Sequence, residues 1–296
     1  MAIVIFTDSS SELSKELREQ YKIDYFRMGI VVKGEEKFAD INWEDYSPEQ
    51  LYEWVSDLNN HCKTSLVTYK EFSEKMIPYL EKGDDIFYIA CTTYLSGTLG
   101  AFEICANELR EKYPNRKIIG IDSCRAEMAL GLMCIECAKL RDQGKSIEEL
   151  QKWIEDNRQF YHEVGSLETL TYLKAAGRVS GASAFFANML GIKPVIMFDI
   201  HGQNHVFKKV KGSKKALEAS FDYIKENMIE GVTDVVYVGQ AVAKERQAYL
   251  KKRIEEELHI KTEKYFISPI VGICCGPGMY GCWFRGKTVT IDGKKK

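Results

Sequence analysis

Hydrophobic positions in the first half of the chain fall into short runs separated by amphipathic stretches. Residues 2–7 are apolar almost throughout, the pattern of a strand covered on both faces. Residues 13–21 then repeat at helical spacing, and 25–32 read as a second strand. A helix over 47–58 opens with Ser47-Pro48-Glu49-Gln50, an N-cap followed by Pro at the first helical position. Helix 70–82, strand 86–91, helix 97–112, strand 117–122 and helix 126–143 follow in alternation. Strands apolar on both faces, joined by helices long enough to cross back, predict a doubly wound α/β domain around a parallel sheet.

The order changes after a capped helix over 146–157. Helical stretches 167–175 and 181–190 precede a strand from Pro194 to Asp199, which ends in a turn at His201-Gly202. A strand to about residue 210, helix 213–228, strand 234–240, helix 244–258 and β-rich runs 264–270 and 283–291 complete the chain. Neighbouring strands joined by tight turns predict a mixed sheet with helices on one face, a smaller α+β domain. The expected division is 1–160 and 161–296. No linker rich in Gly or Pro separates the halves, so they are expected to pack closely. The tail Lys294-Lys295-Lys296 reads as solvated.

Charge narrows the function classes. Lys and Arg number 41 against 43 Asp and Glu in 296 residues, a net charge of −2, which lacks the basic footprint of a nucleic-acid binder. No apolar run reaches the roughly 18 residues of a membrane span. The first residues turn polar too early for a secretion signal, so a cytoplasmic location is expected. The nine cysteines are scattered through apolar runs and read as reduced core thiols. Cys134 and Cys137 share one apolar helical run, and no metal site or cofactor is expected. Gly276-Pro277-Gly278-Met279-Tyr280-Gly281 matches G-x-G-x-x-G. It lacks a following crossover and the acidic residue about 20 positions on that a dinucleotide site requires; a glycine turn between strands is the sounder reading.

In open parallel sheets, ligands sit beyond the carboxyl ends of the strands. Here those ends carry Thr7-Asp8-Ser9-Ser10-Ser11, Thr92-Thr93-Tyr94-Leu95-Ser96-Gly97-Thr98 and Asp122-Ser123, with Thr64-Ser65 ahead of helix 70–82. Hydroxyls and the free amides of a helix start suit a carboxylate or phosphate, and Gly97 would let backbone approach a ligand closely. Such residues are also ordinary helix caps. The cap reading is favoured for Ser9–Ser11 and Asp122-Ser123, and ligand contact for Ser96-Gly97-Thr98. A nucleophilic serine needs a base. The elbow G-x-S-x-G is absent, and His61, His162, His201, His205 and His259 fall mostly in polar, loop-like surroundings. Arg178, between two otherwise apolar helical stretches, either caps helix carbonyls or recognises an anion or a partner. The apolar stretch 182–192 behind it is core or the wall of a cavity for a long apolar ligand.

Thr7-Asp8-Ser9-Ser10, Lys63-Thr64-Ser65, Leu95-Ser96-Gly97-Thr98, Asp122-Ser123, Leu170…Leu173…Gly177-Arg178-Val179-Ser180, Lys193-Pro194 and Gly276-Pro277-Gly278 occur in that order. Together they resemble the DegV family over nearly the whole chain. The resemblance implies two α/β-type domains with a fatty acid buried between them and its carboxylate held by hydroxyls of the first. In several members it implies the lipid-presenting subunit of a bacterial fatty acid kinase, whose separate ATP-binding subunit phosphorylates that carboxylate. By position, Thr64 and Ser96 would bond the carboxylate, with Ser65 and the Gly97 amide nearby. Arg178 would face the kinase partner or the phosphoryl group.

Two positions depart from the family's pattern. Cys274, counted with the ligand contacts, stands where the family often has His, and a thiol is a weak donor. Lys211 stands where Arg is usual, which keeps the charge and loses the planar fork. Lipid binding therefore follows from the resemblance more directly than kinase pairing. The expected function is non-catalytic binding of a long-chain fatty acid in a tunnel between the domains, each buried methylene contributing about 0.8 kcal/mol. The alternatives are a hydrolase or phosphoryl-transfer enzyme acting on a small anionic substrate through Ser96, and an interaction protein whose apolar groove takes a partner helix.

Overall fold

The computed structural model describes residues 2–178 and 191–293. The helix expected over 181–190, most of the apolar stretch behind Arg178 and the lysine tail lie outside the described residues. Strand β1 (Ile3–Asp8) leads to α1 (Lys15–Tyr21), β2 (Ile23–Phe26), β3 (Gly29–Val32) and β4 (Glu35–Phe38). Then come α2 (Pro48–Ser56), β5 (Lys63–Ser65), α3 (Tyr69–Glu81), β6 (Asp85–Ala90) and α4 (Thr98–Lys112). Strand β7 (Ile118–Asp122), α5 (Glu127–Asp142) and α6 (Ile147–Asn157) close the first half. The second half runs β8 (Tyr161–Ser166), α7 (Thr171–Ala175), β9 (Ile192–Phe198), β10 (Asn204–Lys211) and α8 (Ser213–Asn227). It ends with β11 (Val235–Gln240), α9 (Lys244–Glu257), β12 (Lys261–Phe266), α10 (Pro269–Cys275) and β13 (Tyr280–Arg285).

The first sheet has the order β2-β1-β6-β7 and is parallel throughout. Its inner strand β6 is buried at every residue, as its apolar run implies. The second sheet, β10-β9-β8-β13-β11-β12, is antiparallel except for the β11–β12 pair. An α/β half with a parallel sheet and a second half with a mixed sheet are thus the observed architecture.

The differences from expectation include three with a clear physical cause. The strand read over 25–32 is two strands: β2 stays in the parallel sheet, while β3 joins a small antiparallel sheet of order β4-β3-β5. Ser9 holds the break, its amide donating to the Phe26 carbonyl (3.1 Å) and its hydroxyl accepting from the Met28 amide (3.0 Å). Strand β8 was not expected, because His162 and Glu163 disguise a segment that is buried at every residue. The run 264–270 ends as a strand at Phe266, and Pro269 opens α10 instead. Pro suits a first helical position, and a short apolar run does not by itself separate strand from buried helix.

The halves are tied by shared elements. Helix α5 packs on β1 and also on β8 and β13, and α10 packs on α2, β5 and α7. One core runs through both sheets, from Ile5 and Phe87 through Met133 to Ile196 and Trp283. Arg125 pins the junction while fully buried. Its guanidinium donates to the carbonyls of Tyr161 (2.7 Å) and Cys124 (2.6 Å) and to the side-chain oxygen of Gln159 (2.9 Å). Burial lowers its pKa to about 10. The nine cysteines are free thiols, buried except for Cys62 and Cys274.

Candidate functional site

Most hydroxyls at the carboxyl end of the first sheet are already engaged. Asp8 accepts from the Ser10 amide (3.0 Å) and hydroxyl (2.5 Å), the Tyr88 hydroxyl (2.7 Å) and the Cys91 amide (3.2 Å). Asp122 accepts from the Thr93 hydroxyl (2.5 Å) and the Cys124 amide (2.7 Å), and the Ser123 hydroxyl donates to the Arg125 carbonyl (2.8 Å). These groups fix loops, as local side-chain to backbone bonding does.

Ser96 is bonded only within its own turn. It is buried, lies 2.8 Å from the Thr98 hydroxyl and accepts from the Thr98 amide at 3.3 Å. It thus stands at the start of α4, where the first-turn amides lack intrahelical acceptors and the helix dipole favours an anion. Gly97 precedes the helix with no side-chain cap, and its φ of −82° is open to any residue. A Cβ there would meet only the Leu66 side chain, at 3.6 Å. Neither conformation nor protein contact compels a glycine at this position.

A cavity of about 370 Å³ opens where β5, α10 and the end of α7 meet. Thr64, Arg178 and Cys274 line it, with His61, Tyr172 and Ile273 beside them. Arg178 donates from Nε to the Leu95 carbonyl (3.1 Å), next to Ser96, and from Nη1 to the Ala176 carbonyl. It therefore caps α7 and bridges to the Ser96 loop at once. The Cys274 thiol is pushed up by burial, while the Arg178 charge and a Thr64 hydrogen bond pull it down. Thr64, Ser96, Arg178 and Cys274 thus form one neighbourhood.

Two expected residues are placed elsewhere. Successive residues of a strand point to opposite faces. Thr64 faces the cavity, so Ser65 faces away from it, its hydroxyl only 2.2 Å from where a Cβ on Gly29 would sit. Lys211 is exposed at the end of β10, opposite Ile192, and is not part of the cavity lining. Tyr172 was missed. Gly276 is held at φ +79°, and a Cβ on it would lie 2.0 Å from the Tyr172 ring. The glycine turn is thus pressed onto a cavity-lining aromatic residue, a contact that no local pattern announces.

The histidines supply no base to Ser96, whose recorded partners both belong to Thr98. His162 is buried between the Tyr223 hydroxyl (2.9 Å) and the Lys287 carbonyl (2.6 Å), and burial lowers its pKa to about 4. Among the described residues, no group of three His, Cys, Asp or Glu side chains could hold a metal ion. Nor is any described helix long and apolar enough to cross a membrane.

Fold and site define an α/β protein with a parallel and a mixed sheet and a polar-rimmed cavity where β5, α7 and α10 meet. A family model described as "Uncharacterised protein, DegV family" matches residues 2–287. The chain belongs to the DegV family. A DegV domain-containing protein of Clostridium perfringens is 29% identical over 286 residues, 96% of this chain and 98% of that one. The solved structure "Fatty Acid Binding of a DegV family Protein from Thermus thermophilus" superposes with a TM-score of 0.86 at 24% identity, covering 97% of this chain and 100% of that one. A stearic acid-binding protein from Eubacterium ventriosum superposes with a TM-score of 0.84 at 22% identity, covering 97% and 99%.

Proposed function

We propose that this protein binds a long-chain fatty acid, with its carboxylate at the Thr64–Ser96–Arg178 neighbourhood and its tail in a tunnel between the two sheets. The observation that carries this reading is the convergence of Thr64, Arg178 and Cys274 on one cavity, with Arg178 reaching to the carbonyl beside Ser96. Family membership supports it, as do the structural neighbours that are themselves named for fatty acid binding. In this reading residues 1–160 hold the head group and 161–296 close over the tail. Thr64 and Ser96 donate hydroxyl hydrogen bonds to the carboxylate, and the Gly97 amide adds a third donor. Ser65 contributes by holding β5 against Gly29, and Cys274 closes the wall.

The chain itself makes and breaks no bonds. Arg178, at the edge of the cavity, faces the phosphoryl group delivered by an ATP-dependent fatty acid kinase subunit, with Lys211 a peripheral positive charge for that partner. A thiol at 274 and a Lys at 211 weaken that second role, so retention of the acid outlasts efficient presentation. The test is direct: purified protein, denatured and extracted, releases about one long-chain acid per chain by mass spectrometry. An extract free of lipid overturns the reading.

A further inference from the structure

On the far side of α10 from that cavity, three carboxyl groups are buried together. Glu12, Glu127 and Glu163 are 6%, 6% and 1% exposed. They come from the loop after β1, the first turn of α5 and strand β8. Each acid has few partners. The Trp283 indole N–H donates to Glu127 Oε2 (2.8 Å), and the Ser268 amide donates to Glu12 Oε2 (2.8 Å). Glu12 Oε1 has no partner at hydrogen-bond geometry, and the Glu163 carboxyl, which faces Glu127, receives no hydrogen bond from a well-aligned donor. Arg125, the cation that Glu163 feels, directs its donors to Tyr161, Cys124, Asp199 and Gln159 instead.

An independent group points into the same cluster. The Tyr265 hydroxyl is buried and unpartnered, and the three acids all act on it. Gly239 leaves it room: a Cβ there would sit 2.9 Å from that hydroxyl. Each unmet buried polar atom costs about 1–3 kcal/mol. A core that keeps several together is not built to meet bare hydrocarbon.

The charge state narrows what could enter. Burial raises Glu12 and Glu163 well above the carboxylate range, and repulsion from Glu127 adds to the shift at Glu163. Burial thus favours the neutral form of each, which offers one O–H donor as well as acceptor oxygens. Neutral donors and acceptors without a net charge match a neutral oxygen group rather than an ion. Location adds the last step. Cys274 on α10 faces Thr64 and Arg178, while the next residue, Cys275, feels Glu127, Glu163 and Glu12. The acids therefore lie behind α10, within electrostatic reach of Cys275, the residue that follows cavity-lining Cys274.

We propose that this cluster recognises a hydroxyl or oxo group carried on the chain of the bound acid, so that the preferred ligands are oxygenated long-chain fatty acids. The proposal rests on the fatty-acid reading and specifies its substrate class. It is tested with the delipidated full-length protein, titrated with octadecanoic acid and with its mid-chain hydroxy and oxo derivatives. The wild-type protein is expected to bind an oxygenated acid about tenfold or more tighter than the plain one, since a site with polar groups waiting discriminates against a ligand that leaves them unpaired. Glu163→Gln, which keeps a donor and an acceptor, retains most of the preference. Glu163→Leu, with folding checked by circular dichroism, removes it.

Equal or tighter binding of the plain acid by wild type overturns the proposal, the cluster then being filled by water, and that ranking needs no variant. If no acid of any kind binds, the fatty-acid reading itself falls.

Discussion

Two sets of hydroxyls sit at the same end of the first sheet and do opposite things. At Asp8, Ser9 and Ser10, and again at Asp122 and Ser123, each side chain is bonded within its own loop or to a neighbouring element. Around Thr64, by contrast, the polar groups converge on open space and share it with a guanidinium that reaches to the carbonyl beside Ser96. The number of hydroxyls near a strand end therefore says little about a ligand. What separates a site from a scaffold is whether the polar atoms border open space, since a donor enclosed by its protein partners gains nothing from a new one.

The largest test breaks the scaffold set. Asp8→Ala leaves the Ser10 amide and hydroxyl, the Tyr88 hydroxyl and the Cys91 amide without their shared acceptor. Four buried donors so orphaned are expected to cost about 4 kcal/mol or more in urea unfolding. Ser96→Ala removes two local contacts, both to Thr98, and stays within about 1 kcal/mol. Equal losses for the two variants would erase the distinction.

A second, smaller effect concerns the interior acids, where polar atoms are buried without being satisfied. Burial pushes the Glu127 carboxyl up to about 7, against about 4.3 in an unfolded chain. The folded protein therefore holds a proton that the unfolded chain has released across that interval. The stability this contributes is complete below the unfolded value and is lost as pH rises through about 7. His162 runs the other way: its pKa is lowered to about 4, so its contribution is present above about 6.5 and lost as pH falls through 4. On the alkaline side Glu127 acts in the same direction as Glu12 and Glu163, which burial also raises. Unfolding by urea is expected to show about 1 kcal/mol lost between roughly pH 6 and 8, and less in Glu127→Gln. A flat profile in wild type over that range would show that the acid is not held protonated.

The sheets were legible to different degrees for a physical reason. β1, β6 and β7 are apolar on both faces and bracketed by helices, so composition alone reveals them. β8 hides because its polar residues are satisfied or held by distant ones, His162 by Tyr223 and Glu163 by its place opposite Trp283. Thr64, Ser96 and Arg178 could be read as chemistry, because hydroxyls and a lone guanidinium stand out from their neighbours. Their meeting with Tyr172 and Cys274 could not, since it depends on α10 packing over β5 and α7. The orientation of Ser65 was equally hidden, being set by a three-residue strand pairing with Gly29.

That orientation allows the finest test of the comparison, because adjacent residues of β5 should behave differently. Thr64→Val exchanges a hydroxyl for a methyl of similar shape and keeps the strand, so stability should move by no more than about 0.5 kcal/mol. A carboxylate that loses one hydroxyl donor should bind about three- to tenfold more weakly. The fall stays modest because the buried tail, at about 0.8 kcal/mol per methylene, dominates the affinity. Ser65→Ala, on the Gly29 side, should leave binding of the same acid unchanged. Calorimetric titration of both delipidated variants with one long-chain acid decides it. A loss confined to Ser65→Ala would place the head group on the opposite face of β5 and return Thr64 to the scaffold.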